Sequence, residues 1–299
     1  RSHRLTVRTD GFQSSNRGSI PRGTAKIQKM KQVNKLHLYR KFNQEYRSRT
    51  QSGILYFFEK IIRSHPLLYF ISRVLVRFTS IHEEDFEGVK LLNFKGNINI
   101  LDIGASDGIT SKFFSRNLNV RSITCFEPNY YYIKILKGLN IENLIIKPFA
   151  IGNKNSFKTI YFPRYKFFFK NLDLITYTHY DRKFLEQQIS LDFKFKKNIS
   201  IIKRKIMIKK PKKENKKIDL IKIDTNGFEF PIIRGLMHII RKDRAAMIVE
   251  SNQDIKKIDK MLKKLSYKSY YFSANKKKLK LVNKKYPLNT FFLQKKHLP

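Results

Sequence analysis

Carboxylates recur at one kind of place in this sequence, where an apolar run gives way to small or polar residues. Asp102 ends the run Ile98-Asn99-Ile100-Leu101, Glu127 follows Val120–Phe126, Asp224 closes Ile218–Asp224, and Glu250 closes Ala245–Glu250. Runs of this kind read as buried parallel strands, and open α/β sheets bind ligands at the carboxyl ends of their strands. A carboxylate placed there can grip two hydroxyls, face a cation or take up a proton.

The first of these places carries Asp102-Ile103-Gly104-Ala105-Ser106-Asp107-Gly108, followed by the helix-like Ile109–Phe114. Strand, glycine turn and helix form the nucleotide-cradling unit of doubly wound folds. A dinucleotide fingerprint in this register needs glycine at 102, 104 and 107, but aspartate stands at 102 and 107. Two carboxylates repel a pyrophosphate at close range. S-adenosylmethionine (SAM) has no phosphate and carries a sulfonium and an ammonium, so an acidic turn suits it. Gly104 is expected to let the backbone approach that ligand, and Gly108 to let the helix pack tightly on the strand. Glu127 lies 19 residues past Gly108, near the roughly 20-residue spacing at which an acid reaches a ribose. Pro128-Asn129 then turns the chain into the next helix, Tyr130–Leu139.

The elements that must position these groups follow from the pattern of apolar residues. A third strand, Asn143–Phe149, ends at Ala150-Ile151-Gly152-Asn153, where small residues leave room for adenine. Phe157–Phe162 reads as a short extra strand, 181–189 as a short helix, and Ile199–Ile208 as a half-exposed strand. Residues 155–217 thus form an insertion expected to face the substrate. Its Tyr165, Phe167, Phe168, Tyr177, His179 and Tyr180 suit either stacking on a sugar or base, or a small local core. Lys209–Lys217 reads as a solvated basic loop. Asp224-Thr225-Asn226-Gly227-Phe228-Glu229 leads into a helix through Ile240. Tyr267–Phe272 and Asn289–Leu293 lack a crossover helix between them and must pair antiparallel.

Composition narrows the function classes. A chain of 299 residues with 41% hydrophobic and 13% aromatic residues buries a sizeable core. The single cysteine, Cys125, excludes a disulfide framework and a paired-cysteine metal knuckle, and no metal site is read from the sequence. The formal charge of +40 invites a nucleic-acid partner, yet the lysines are widely spread. Anionic glycans or lipid head groups suit the same charge. Residues 1–29 read as disordered or as a leader segment, and 30–92 as a basic helical extension. Within the extension, helices are expected at 34–49, 55–62 and 66–78. The last two are expected to pack on the catalytic domain; the alternative is peripheral membrane contact through residues 55–78. No apolar run reaches the about 18–20 residues that cross a bilayer, which fits a cytoplasmic protein, with attachment at the inner membrane face as the variant.

Taken together, Leu101–Gly108, Phe126–Asn129, Ala150–Asn153 and Asp219–Glu229 resemble the FkbM family of class I SAM-dependent methyltransferases over about residues 95–295. The resemblance implies a Rossmann-like α/β fold with a seven-stranded, mostly parallel sheet and an antiparallel last strand, spanning residues 93–299. It implies SAM as cofactor and O-methylation of a saccharide or small-molecule hydroxyl. By position, Asp102, Gly104, Ala105 and Gly108 would lie against the methionine part of SAM, Glu127 and Pro128 at the ribose, and Ala150 with Ile151 at the adenine. Asp224 would sit near the methyl and amino groups. Asp224, Glu229 and Glu250 are the candidate bases, with His179 and His238 as outsiders; Glu229 at a helix start serves equally as a brace for the turn.

This sequence departs from the family at Asn226, where a glutamate is common, and in the lysine-rich loop before Asp219. Three rivals follow. A nucleic-acid methyltransferase, including a 2′-O RNA enzyme, fits the charge, but no N-P-P-Y segment is present and Glu250 stands where such an enzyme would carry lysine. A dehydrogenase conflicts with the glycine pattern. A SAM-binding or membrane-associated protein without catalysis is the reading that Asn226 would favour.

Overall fold

The computed structural model describes residues 64–78, 84–193, 197–212 and 215–299. The segments expected at 1–29, 34–49 and 55–62 lie outside the described residues. Helix α1 (Pro66–Phe78) comes first, then a short 3-10 helix, Glu84–Leu91. In chain order there follow β1 (Ile98–Ile103), α2 (Ile109–Asn117), β2 (Val120–Phe126), α3 (Tyr130–Lys137), β3 (Leu144–Lys147) and β4 (Ala150–Ile151). The inserted elements are β5 (Ser156–Phe167), β6 (Lys170–Asp173), α4 (Arg182–Asp192) and β7 (Ile199–Lys209). The chain returns with β8 (Leu220–Ile223), α5 (Glu229–Asp243), β9 (Ala246–Glu250), α6 (Ile255–Lys263), β10 (Lys268–Ser273), β11 (Lys278–Leu281) and β12 (Asn289–Leu293).

Strand β1 is buried along its whole length, as a strand covered on both faces must be. It pairs in parallel with β2 and β8, and the main sheet runs β11-β10-β12-β9-β8-β1-β2-β3. One face of the sheet packs against α5 and α6 through Leu101, Ile103, Ile221, Ile223, Leu236 and Ile258. The other face, with Ile98, Ile100, Ile123 and Ile248, is covered by α2, α3 and the 3-10 helix through Phe113, Phe114, Leu136 and Phe86. Strand β12 runs antiparallel to both β9 and β10, as expected. The sheet has eight strands rather than seven. The lysine-rich segment read as a plain connection holds β11, which pairs with β10 and sets Leu279 on the core beside Phe272. Its alternating lysines mask the strand period, and lysine is a common guard on an exposed sheet edge.

The insertion makes a second sheet, β4-β7-β5-β6. Strand β5 is 12 residues long and pairs with β7 from Ser156↔Ile208 to Tyr165↔Ile199, well beyond the strand expected at Phe157–Phe162. The Tyr161 N–H bonds away from β7, to the His179 carbonyl at 2.7 Å, so Pro163, two residues on, lacks its N–H on that same side. Beneath the far end of this sheet, Tyr165, Tyr177, Leu185, Ile189 and Phe193 form a local core that Tyr69 of α1 completes. Thus α1 packs on the inserted sheet through Tyr69, while Leu68, Ile71 and Leu75 are exposed. Among the described residues no helix is long and apolar enough to cross a membrane.

Candidate functional site

Gly104 has φ +77°, and a Cβ there would lie 1.9 Å from the Asp224 carbonyl oxygen. The space expected to admit a ligand is filled by the backbone of the neighbouring strand end, so Gly104 closes β1 onto β8. Gly108, at φ +78°, faces Leu136 and Leu139, with a Cβ position 2.3 Å from Leu139 Cδ1. Its absent side chain therefore serves contact with the α3 region rather than with the strand. Ala105 is buried among apolar side chains on the face covered by α2 and α3. Ser106 takes a left-handed φ of 51° and turns its N–H toward β2.

Asp102 is fully buried. It accepts a 2.6 Å hydrogen bond from Ser111 Oγ and faces Lys222 directly across the β1–β8 pairing. Lys222 Nζ lies 3.3 Å from Asp102 Oδ1 and 3.6 Å from Asp224 Oδ2, and donates to the Gly104 carbonyl at 3.1 Å. The Lys222 side chain is 3% exposed and that of Asp224 is 36% exposed. Asp102 thus has no surface to offer a ligand, and in place of the direct contact expected of it, its carboxylate faces Lys222. A buried ammonium needs such partners, because an unpaired charge in a dry interior is strongly unfavourable. Asp224 is left as the member of the chain that faces outward. Sequence reasoning missed Lys222, although a lysine inside an apolar strand flanked by two aspartates is a signal.

Glu127 is buried at the end of β2. Its Oε2 accepts from the Ser106 N–H at 3.0 Å and its Oε1 from the Asn129 N–H at 2.8 Å. The carboxylate therefore ties the β1 turn to the β2 exit, and each oxygen keeps a further lone pair. Burial pushes its pKa up to about 7, against the pull of those two N–H groups and of Lys222. Pro128 next to it is half-buried.

At the third strand end, Ala150 is half-buried but Ile151 is in the core between Phe126 and α5. Ile151 therefore has no face for a ring. Gly152 is small for a different reason than the one expected: a Cβ on Gly235 of α5 would lie 2.4 Å from its carbonyl oxygen, and a Cβ on Gly152 would lie 2.7 Å from Ile208. Helix and inserted sheet close over the spot.

After β8, Asn226 (φ 53°) and Gly227 (φ 101°) turn the chain into α5. Glu229 is fully buried and braces this turn: its Oε1 accepts from the Thr225 N–H at 2.9 Å, the Thr225 hydroxyl at 3.0 Å and the Gly227 N–H at 3.1 Å, and its Oε2 from the Asn252 amide. The bracing alternative is the one the geometry bears, and Glu229 has no exposed oxygen with which to serve as a base. Asn226 is exposed. Glu250 is half-buried at the next strand end, opposite Asn289 of β12. His179 accepts the Asp181 N–H at 2.9 Å and stacks on Tyr180 and Phe184; burial pushes its pKa down to about 4, so it is a weak base. His238 stays on α5, against the carbonyls of Gly235 and Lys212, away from the strand ends.

The insertion reaches this turn. Tyr180 packs on Gly227, and its ring meets Phe228 edge-on with centroids 6.4 Å apart. Lys158 of β5 holds its ammonium 4.1 Å from the Tyr180 centroid and 4.3 Å from that of Phe228. Of the aromatic residues read as stackers or as local core, Tyr165 and Tyr177 are core with Phe167 packed against them, Phe168 is exposed at a hairpin tip, and Tyr180 contacts the Asp224 turn at Gly227.

The methyltransferase FkbM domain profile matches residues 102–272, more than half of the chain and all five strand ends described above. The chain belongs to the FkbM methyltransferase domain family. Solved structures similar to this FkbM chain include the FkbM methyltransferase of Methylobacillus flagellatus, with 12% identity, a TM-score of 0.41, and coverage of 68% of this chain and 45% of that one. M. capricolum TrmK, in complex with S-adenosyl-homocysteine, shows 11% identity, a TM-score of 0.36 and coverage of 73% and 71%. The plantazolicin methyltransferase BpumL, also with S-adenosyl-homocysteine, shows 15% identity, a TM-score of 0.33 and coverage of 68% and 63%. The FkbM chain described here thus spans less than half the length of the M. flagellatus protein. No curated protein matches the sequence.

Proposed function

We propose that this chain is a SAM-dependent O-methyltransferase whose acceptor is a hydroxyl of a saccharide or glycoconjugate. One observation carries the reading: the Asp224 carboxylate, 36% exposed, is fixed by Lys222 at a strand end, at the head of the turn whose Gly227 packs against Tyr180. The donor set fits the cofactor. Glu127 keeps lone pairs for two ribose hydroxyls, and Asp224 presents a carboxylate to a sulfonium and an ammonium. Bound there, SAM would supply a methyl group on a positively charged sulfur, already a good leaving group.

The protein's own work is then alignment and proton removal. Tyr180 and Phe228, capped by Lys158, border the turn that follows Asp224 on the side of the insertion. SAM would give up its methyl group and leave as S-adenosylhomocysteine, and Asp224 would take the proton of the acceptor hydroxyl; Glu250 is the second acid–base candidate. Asp224→Asn is expected to lower kcat by about 100-fold or more, the usual worth of a positioned base. Transfer of radiolabelled methyl groups to a set of oligosaccharides checks this, and unchanged turnover overturns the assignment.

Glu127 gives a pH dependence of known sign. Its folded pKa of about 7 lies above the ordinary 4.5, so the folded chain holds this proton where the unfolded chain does not. The stability it contributes is full below pH 4.5 and lost as pH rises through about 7. Gripping hydroxyls needs the ionised form, so SAM affinity runs the other way. Between pH 8 and pH 6 calorimetry should show it falling by about tenfold, and Glu127→Gln should flatten the profile at a weaker affinity.

A further inference from the structure

We propose that the acceptor carries an anionic group, a carboxylate or a phosphate, held by Lys158 and Arg204 above the cofactor turn. The inference rests on the O-methyltransferase reading and adds the class of acceptor. Opposite partners in an antiparallel pair share a face, and β5 and β7 pair Lys158↔Ile206, Ile160↔Arg204 and Phe162↔Ile202. This face looks inward, for Ile160, Phe162, Ile206 and Ile208 on it are buried. The opposite face is the solvated one, with Phe157, Lys203, Lys205 and Met207 exposed. In a chain of charge +40 most lysines stay in water; these two cations are the half-buried ones of the hairpin that no acid balances.

Among the described residues neither Lys158 nor Arg204 forms an ion pair. The third cation of the face, Arg164, is paired with Asp173 at 2.6 Å. A cation that serves structure on this hairpin is thus given its own acid. Lys158 sits over Tyr180 and Phe228 at the β8 exit, and burial lowers its pKa. Arg204 donates to Asn129 Oδ1 at 3.4 Å at the β2 exit. Strand β1 lies between β2 and β8, which places those exits roughly 10 Å apart. As diagonal neighbours Lys158 and Arg204 are roughly 7–8 Å apart at their backbones. The two side chains therefore stand at the strand exits on either side of β1, and an anion between them would orient a neighbouring hydroxyl toward Asp224.

The test compares glucuronic acid, glucose 6-phosphate and glucose as probes of the full chain, by ligand-observed NMR titration at an ionic strength near 0.15 M, where long-range attraction is screened. At least one anionic sugar should bind about tenfold tighter than glucose, the worth of a charged hydrogen bond, and which one does so separates carboxylate from phosphate. Lys158→Met with Arg204→Met should erase that preference. Lys203→Met with Lys205→Met removes the same charge from the outward face of the hairpin and should keep the preference within about twofold. The milder Lys158→Gln and Arg204→Gln variants guard against misfolding and should shift in the same direction. Equal losses in the two double variants, or no anionic preference in the parent chain, overturn the proposal. SAM affinity on the same samples should be unchanged; a large loss in the Lys158/Arg204 variant assigns the cations to the cofactor and also overturns it. Absence of SAM binding in the parent chain counts instead against the methyltransferase reading, because the sugar titrations are made without SAM.

Discussion

Lys222→Met is expected to cost about 3–5 kcal/mol of stability and to abolish methyl transfer. The size follows from what is left behind. Asp102 is fully buried, and its Oδ1 has Lys222 as its ion-pair partner at 3.3 Å and no hydrogen bond. Removing one member of a buried pair leaves an uncompensated charge, which is the costly case. Asp224 loses the ammonium that fixes its orientation, and the Gly104 carbonyl loses its 3.1 Å donor. Methionine has similar length and adds no clash. Lys222→Met combined with Asp102→Asn removes both buried charges and should recover most of the stability, while turnover stays low because Asp224 is still unheld. Urea unfolding of the two variants beside the parent checks the first statement and methyl transfer the second. A single variant as stable as the parent would show that the charges are not coupled.

Gly104→Ala is expected to be more damaging still, by about 4 kcal/mol or more. The new Cβ would lie 1.9 Å from the Asp224 carbonyl oxygen and 2.9 Å from Thr225 Cγ2, at φ +77°. No flexible side chain can yield here, because the obstacle is the backbone of the adjoining strand end. Either β1 and β8 part at the point where the site is built, or the chain does not fold. Gly96→Ala is the natural control. Gly96 has nearly the same φ, +72°, with nothing within 4 Å of its Cβ position, so it bears only the left-handed strain of about 1–2 kcal/mol. The difference between the two in denaturant unfolding isolates the contact between strand ends.

The strands and their acidic ends were legible because parallel strands covered on both faces are nearly unbroken apolar runs, as in Ile98–Ile103 and Leu220–Ile223. What those acids do was less legible. Asp102 and Glu229 stand at positions that invite ligand roles, yet both are buried and spent on Lys222, Ser111, Thr225 and Asn252. A sequence shows that a carboxylate ends a strand; it does not show which side chain across the sheet claims it. The small residues misled in the same way. Gly104 and Gly152 suggest room for a ligand, but the room is taken by Asp224 and Ile208, and Gly108, expected to pack its helix on the strand, faces Leu139 instead. In the insertion, β5 runs past the strand expected at Phe157–Phe162, and the placement of Lys158 and Arg204 on one face required the register of a second sheet.

That second sheet has a neck. Strand β4 enters it and β7 leaves it side by side, paired Ala150↔Ile208 and Ile151↔Lys209, and the Gly152 N–H closes on the Lys209 carbonyl at 3.1 Å. The described residues of the insertion enter and leave through this clasp and touch the strand ends again through Tyr180 and Arg204, while Phe168 and Phe169 at the far tip are exposed. The chain is in effect a fixed socket with an interchangeable jaw. Changes confined to the exposed tip of the jaw leave its Tyr180 and Arg204 contacts with the strand ends in place.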